Sequence, residues 1–246
     1  MKTEKITSNE NSKIKHVKKL LKSKSYRYEN GEYAIEGLRV LDDVKKTKEI
    51  FVCEGLDIPQ ILTNRINIVK KDIFETISST ENSQGVVAIC ELKINASSRI
   101  DKNARYVLLD RLQDPGNMGT IIRTASAFGL KGIITVPGCV DVFSPKVVRS
   151  AVSAIEKIDV IMLDDIDILK DCNVIASGIG GKDVSKFSWP KGFVLVIGNE
   201  GHGISEKLDL ISEQKVSISI TENMESLNAA VAAGILLYDA ASKEAI

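Results

Sequence analysis

The 246-residue chain contains no apolar run approaching the roughly 20 residues needed to cross a bilayer, so no membrane-spanning helix and no membrane partner are expected. Its opening residues, Met1 to Asn11, are polar and charged and do not read as a secretory leader, which places the expected location in the cytoplasm. No C-x-x-C pair is present. Cys53, Cys90, Cys139 and Cys172 are scattered, each within or beside an apolar stretch, and read as reduced core thiols rather than a disulfide framework or zinc site; no metal is expected. Neither G-x-G-x-x-G nor the P-loop pattern occurs, so a dinucleotide or nucleoside triphosphate site is unsupported. Net charge is also lacking, with 33 basic and 33 acidic residues, and no repeat or low-complexity tract stands out.

What is present is an ordinary soluble composition, 43% apolar and 27% charged, on a chain long enough for one large or two modest domains. The zero net charge hides an asymmetry. Between Met1 and Tyr28 stand Lys2, Lys5, Lys13, Lys15, Lys18, Lys19, Lys22, Lys24 and Arg27, opposed only by Glu4 and Glu10. Ile14, Val17, Leu20 and Leu21 form one helical stripe there, with Asn11 or Ser12 as its cap. Two readings fit: a solvated surface helix, or a phosphate-binding face that gains affinity by releasing counterions.

The apolar pattern predicts two α/β units. In the first, strands are expected at Tyr33–Gly37, Glu49–Cys53, Asn67–Val69 and Gly85–Cys90, with helices over Leu38–Lys46, Ile58–Asn64 and Lys71–Ser79. A polar stretch, Asn95–Asn103, reads as a linker. In the second unit, Tyr106–Leu109, Gly132–Val136, Val160–Leu163, Asn173–Ala176, Phe193–Ile197 and Val216–Ile220 are strand-like. Helices are expected over Met118–Phe128, Ser144–Lys157, Ile166–Lys170 and Ser226–Glu244. Near-continuous apolar strands flanked by helices imply a mostly parallel sheet covered on both faces, whose ligands bind at the strands' carboxyl ends.

Three segments of this unit carry chemistry. In Asp114–Gly129 a Pro-Gly turn precedes a helix that Asn117 can cap, with Arg123 inside it; the arginine either snorkels or holds a phosphate. In Val194–Ser205 a strand runs into a turn holding Gly198, Gly201 and Gly203, which lets backbone approach a ligand closely; His202 reads as an ordinary loop histidine. In Val216–Tyr238 a strand, a polar loop and an alanine-rich helix follow one another, with Ser226 as cap and Asn228 in the first turn.

Together these segments resemble the SpoU/TrmH family of RNA ribose methyltransferases, within the SPOUT superfamily. The matching residues are N-x-G-x-x-x-R-x-A-x-A-F-G at Asn117–Gly129, I-G-N-E-G-x-G-I at Ile197–Ile204 and E-S-L-N at Glu225–Asn228. The resemblance implies an α/β SPOUT-type parallel sheet with a C-terminal trefoil knot, an exception to the rule that chains do not thread loops. It implies residues 1–95 as an RNA substrate-binding domain, a small α/β sandwich similar to ribosomal RNA-binding proteins, where Ser12-Lys-Ile-Lys and Glu36-Gly-Leu-Arg39 are the cues. Residues 96–104 would be the linker and 105–246 the methyltransferase domain.

The implied cofactor is S-adenosyl-L-methionine, contacted by Ser177, Gly178, Gly198, Asn199, Gly201, Ile218, Ile220 and Leu227. The implied catalytic set is Asn117, Arg123, Glu200, Ser226 and Asn228. An arginine stays protonated and makes a poor base, so Arg123 is read as a phosphate clamp that also stabilises the developing alkoxide, with the proton acceptor unassigned. Glu200 is read as fixing loops and Arg123, and Ser226 and Asn228 as positioning the loop and the target ribose.

RNA contacts are expected from Lys13, Lys15, Lys18, Lys19, Lys22, Arg27, Arg39 and Arg149. Ribosomal RNA, 23S above all, is favoured over transfer RNA, no DNA is expected, and the resemblance implies a homodimer, in which Arg123 of one copy could reach the other's cofactor; whether the site is completed in that way is left open by the sequence. Three departures stand out: Ser219 where the family usually has proline, Ala229 where valine is usual, and Ser153 where glycine is usual. A catalytically silent RNA-binding protein of the same fold is the alternative from another class, and the intact polar set argues against it.

Overall fold

In a computed structural model, which describes residues 2–38, 47–56, 65–80 and 82–244, the alternating strands and helices gather into two units. One comprises Met1–Lys93 with Phe143–Glu156, the other Ile94–Val142 with Lys157–Ile246.

The first unit is built on a five-stranded mixed sheet ordered β1-β4-β3-β5-β2, from β1 (Lys2–Ile6), β2 (Glu32–Glu36), β3 (Thr47–Cys53), β4 (Arg65–Val69) and β5 (Val86–Glu91). Strand β1 is absent from the sequence reading because its pattern is drowned by charge: Glu4 and Lys5 are exposed and Ile6 is buried. Backbone pairing places it, parallel to β4 from Lys2↔Arg65 to Ile6↔Val69.

Helix α1 (Ser12–Lys22) starts where Asn11 accepts the Lys13 N–H at 2.9 Å. Its stripe of Ile14, Val17 and Leu20 is fully buried in a core with Phe51, Phe74 and Val87. Helix α2 (Lys24–Asn30) is capped by Ser23 and closed by Gly31 in the left-handed region. After it, α3 (Lys71–Phe74) is shorter than the expected Lys71–Ser79 and passes into turns. The helices expected over Leu38–Lys46 and Ile58–Asn64 fall almost wholly outside the described residues, and Arg39 with them.

The helix expected over Ser144–Lys157 stops early. Helix α4 by position in the chain is Pro115–Ala127 and α5 is Pro145–Ala151. Val152 then takes φ 55°, a conformation a β-branched residue rarely adopts, and the chain continues as a short 3-10 turn. Although the sequence division places this stretch in the C-terminal domain, Phe143–Glu156 folds onto the first unit: the Phe143 and Tyr33 rings lie 5.2 Å apart and α5 packs on β2.

The second unit is an α/β layer around a six-stranded sheet in which every pair is parallel, ordered β11-β9-β10-β6-β7-β8. Its strands are β6 (Arg105–Leu109), β7 (Gly132–Thr135), β8 (Asp159–Met162), β9 (Val174–Asp183), β10 (Phe193–Ile197) and β11 (Gln214–Ser217). Strand β10 is buried at all five positions, as a sheet flanked by helices requires. Helices α6 (Glu206–Ile211) and α7 (Ala229–Glu244) complete it. The stretch read as a linker belongs here too: the Asn95 N–H donates to the Val160 carbonyl at 2.7 Å.

Strand β9 runs well past the expected Ala176. Its register with β11 jumps from Lys215↔Ala176 to Val216↔Lys182, so residues 177–181 stand out from the ladder. The first strand of this unit, β6, lies mid-sheet with later strands on both sides, which makes the carboxyl ends of β6, β10 and β9 the expected ligand crevice. Among the described residues, no helix is long and apolar enough to cross a membrane.

Arg27 departs from its expected role. Only 4% exposed, it donates through Nη1 to the Leu20 carbonyl at 2.6 Å and ties α2 to α1. A guanidinium held in this way is part of the core and unavailable to phosphate. Arg27→Ala should therefore lower the unfolding free energy by about 2–3 kcal/mol, measured by urea titration, because it leaves a buried carbonyl without its partner.

Candidate active site

Strand β10 ends at Ile197, and the chain reverses within a few residues. Asn199 and Gly203 exchange backbone hydrogen bonds of 2.9 Å each. At Gly198 a Cβ would sit 2.4 Å from the Gly203 carbonyl carbon and 2.6 Å from the Ile204 nitrogen, so only glycine fits. Asn199 fills this turn. Its Oδ1 accepts the N–H of Gly201 at 2.9 Å and of His202 at 3.0 Å, and its Nδ2 donates to the Arg111 carbonyl at 2.8 Å, fastening the turn to the loop after β6. Asp110, 1% exposed, adds a second fastening by accepting the Ser205 N–H at 2.5 Å and the Arg111 guanidinium at 3.0 Å.

Glu200 faces the opposite loop. Its carboxylate accepts N–H groups of Gln113 (3.3 Å) and Asp114 (3.2 Å) and the Asn117 amide (3.1 Å). Partial burial opposes ionisation, but its own N–H, the Asn117 amide and these backbone donors outweigh it and hold the carboxyl below its usual value. Asn117 in turn accepts from the Asn228 amide at 2.9 Å. A continuous chain of side chains, Glu200–Asn117–Asn228, thus joins the three sequence segments.

Two caps differ from expectation. Helix α4 is capped by Asp114, which accepts the Asn117 N–H at 2.7 Å, because Pro115 already occupies its first turn; Asn117 is thereby freed for Glu200 and Asn228. Helix α7 begins at Ala229, not Ser226. Asn228 caps it, accepting from Ala230 at 2.9 Å and Val231 at 3.2 Å, and the polar loop extends through Ser226.

These loops surround a cavity of about 1060 Å³. All eight residues expected to contact a cofactor line it: Ser177, Gly178, Gly198, Asn199, Gly201, Ile218, Ile220 and Leu227. So do Glu200, Ser226 and Asn228 of the catalytic set. Asn117 does not line it but bonds two residues that do. Arg123 stands apart, exposed on α4, off the cavity wall and with no partner among the described residues.

The sequence reading missed Ile179 and Gly180 in the 177–181 excursion, and Met224 in the loop. Their signal was faint: exposed apolar side chains, Ile179 at 85% and Met224 at 58%, in otherwise polar turns. The wall also carries Asp209, Glu222 and Glu225 beside Glu200, against a single lysine, Lys215, which is paired with Asp209 at 3.0 Å. Such a wall suits a ligand with an apolar ring system and a positive charge. Among the described residues no His, Cys, Asp and Glu group is arranged to hold a metal ion.

The expected RNA-contacting residues of the first unit divide. Lys13 is held between Glu4 (2.9 Å) and Glu49 (3.4 Å). Lys15 pairs with Glu10, Lys18 donates to Asn9 at 2.9 Å, and Lys19 lies over the Tyr26 ring at 5.2 Å. Lys22 is exposed with no partner among the described residues. Arg149 is exposed and donates to the Ser79 carbonyl at 3.3 Å and hydroxyl at 3.2 Å.

Comparison with known proteins places this geometry. Residues 104–238 match the model of the SpoU rRNA methylase family, and residues 11–88 that of the MRM3-like substrate binding domain. The chain is 32% identical, over 95% of its length and 97% of the relative's, to the 23S rRNA (guanosine(2553)-2′-O)-methyltransferase RlmP of Bacillus subtilis (strain 168). It is 28% identical to the 23S rRNA (uridine(2479)-2′-O)-methyltransferase of Streptomyces viridochromogenes, covering 96% of this chain and 91% of that one. The AdoMet-bound rRNA methyltransferase from Sinorhizobium meliloti superposes with a TM-score of 0.88 at 29% identity, over 99% of both chains.

The hydrogen bonds to Glu200 have a pH signature. A carboxyl whose folded value is depressed contributes stability above its ordinary value of 4.5 and loses it as pH falls through the lower folded value. Glu200→Gln should melt below the wild type at neutral pH, and the gap between the two melting curves should narrow as pH falls below 4.5 and close below the depressed folded value. A gap independent of pH would refute the ionised role.

Proposed function

The chain belongs to the SpoU rRNA methylase family, and from that membership we propose how its residues divide the work. It is an S-adenosyl-L-methionine-dependent enzyme that methylates a ribose 2′-hydroxyl of ribosomal RNA. We assign 23S rRNA as the substrate, because both named relatives act on 23S rRNA.

The observation that carries the assignment of the site is the cavity at the carboxyl end of β10 and the 177–181 excursion of β9, bounded by the Glu200–Asn117–Asn228 chain. Its residues fit the cofactor. Gly198 and Gly201 present backbone to the cavity, Ile218, Ile220 and Leu227 offer apolar surface for an adenine ring, and the acidic rim favours a cation. When bound, the cofactor supplies a methyl group already activated on a sulfonium centre.

The protein's task is alignment, since holding the reacting atoms about 3 Å apart in the right direction removes several kcal/mol of barrier. We assign Asn117 and Asn228 to position the target ribose, with Glu200 holding Asn117 in place and Ser226 shaping the loop. Arg123 clamps the adjacent phosphate and stabilises charge developing on the ribose oxygen.

Arg123 does not line its own cavity, and we assign its contribution to a second copy of the chain. The exposed apolar residues Val231 (51%), Ile235 (38%) and Tyr238 (62%) share one face of α7, which packs on the helix bearing Arg123. This supports a homodimer formed there. A trefoil knot at the C-terminal sheet and a cytoplasmic location belong to the same reading. The first unit serves as the RNA-binding domain, through Lys15, Lys18, Lys19 and Lys22 on α1 and Arg149.

The direct test is transfer of a labelled methyl group from S-adenosyl-L-methionine into total RNA from cells lacking the protein, with fractionation and nucleoside analysis. Label in a 2′-O-methylated nucleoside of 23S rRNA is the expected result; label confined to small RNA would move the substrate, and cofactor binding with no label in any RNA would favour a silent RNA-binding protein. Arg123→Ala should abolish transfer while cofactor affinity by calorimetry stays within about twofold; a loss of tenfold, about 1.4 kcal/mol, would refute the clamp role. Replacing Lys15, Lys18, Lys19 and Lys22 together by alanine should weaken RNA binding and reduce the slope of log affinity against log salt by about 3–4. An unchanged slope would exclude this helix from the interface.

A further inference from the structure

The cofactor cavity has one wall that the sheet does not hold. The ladder between β11 and β9 ends at Ser217↔Asp183, and residues 218–220 continue outside any strand. Ile218 and Ile220 nevertheless line the cavity, while Ser219 between them does not. Neighbours in an extended chain point to opposite sides, so whatever fixes Ser219 outward fixes both isoleucines inward.

Ser219 is fixed by one residue. Its hydroxyl donates to Oδ2 of Asp183, the β9 residue opposite the end of the ladder. Asp183 is itself anchored, because its Oδ1 accepts the Ser185 N–H at 2.9 Å and the Ser185 hydroxyl. The 3-10 turn Val184–Lys186 that carries Ser185 is tied to α7 through Lys243, whose ammonium donates to the carbonyls of Val184 (2.7 Å), Ser185 (3.2 Å) and Phe187 (3.1 Å). Lys243 also pairs with Asp239 at 2.9 Å. On the inner side, Ser217 donates to the Gly181 carbonyl at 2.8 Å, where a Cβ on Gly181 would lie 2.7 Å from the β11 backbone.

We propose that Asp183 is a positioning residue for the cofactor: with Ser219 it forms a polar staple that holds Ile218 and Ile220 against the bound group. The proposal rests on the assignment of this cavity to S-adenosyl-L-methionine. The hydrogen bonds from Ser185 and Ser219 keep the Asp183 carboxyl ionised, lowered to about 2, so the acceptor is charged under all ordinary conditions. Charge matters because the staple is exposed, where a neutral hydroxyl pair competes poorly with water.

The test is calorimetric binding of S-adenosylhomocysteine to the full chain, with thermal melting to verify folding. Ser219→Ala and Asp183→Ala should each weaken binding about three- to tenfold, a modest loss befitting a solvent-facing charge-assisted bond. The double variant should bind no more weakly than the poorer single variant, because each single variant already breaks the Ser219–Asp183 bond, with Asp183→Ala losing the Ser185 bonds besides. Ser219→Thr, which keeps the hydroxyl, should bind within about twofold of wild type, whereas the similarly shaped Ser219→Val should match Ser219→Ala. Single variants with wild-type affinity, additive losses in the double variant, or equal behaviour of the Thr and Val variants would each overturn the staple. Absence of binding by the wild-type chain would instead overturn the cofactor assignment beneath it.

Discussion

The geometry of the site depends on how closely the turn after β10 folds back on itself. Gly198 must pass the Gly203–Ile204 backbone at a distance no side chain permits. With that approach made, Asn199 closes the turn from inside and reaches the Arg111 carbonyl, and Glu200 is directed at the loop entering α4. Each link then joins segments far apart in sequence: Glu200 to Asn117, and Asn117 to Asn228. The strand ladder brings β6 beside β10, but side chains set the distance between their loops. A larger residue at Gly198 would therefore disturb more than one turn, because the same displacement would misalign Asn117 and the α7 cap.

The sequence made the second unit's sheet legible because parallel strands buried on both faces must be continuously apolar, and few other arrangements produce such runs. It concealed β1, where backbone pairing rather than burial defines the strand, and it placed the end of β9 too early, since residues 177–181 leave the ladder and return. Helix starts failed for a related reason. Ser226 and Asn117 are good caps by residue type, but Asn228 and Asp114 hold those places, because the loop residues are needed at the cavity and Pro115 fixes where α4 begins. Arg27 shows the limit of reading charge as surface: nothing in a lysine-rich segment distinguishes a cation that is buried and donates to a buried carbonyl.

The residues expected at the cofactor were found together because they lie on loops at one edge of the sheet, where chain order and strand order jointly leave a crevice. Arg123 was grouped with them by motif alone, and motif spacing carries no information about whether a helical side chain points toward a crevice or away from it.

Arg123 lies off a cavity wall that is predominantly acidic. The cavity wall sets Glu200, Asp209, Glu222 and Glu225 against Lys215 alone, and Lys215 is neutralised by Asp209. A sulfonium centre bound there would gain from the acids. Yet the RNA phosphate and the oxygen that develops negative charge both need a cation. In the reading proposed above, that cation is Arg123 of a second copy, since Arg123 does not line its own cavity. The exposed apolar face of α7, beside the helix that bears Arg123, is the surface on which such a copy would be held.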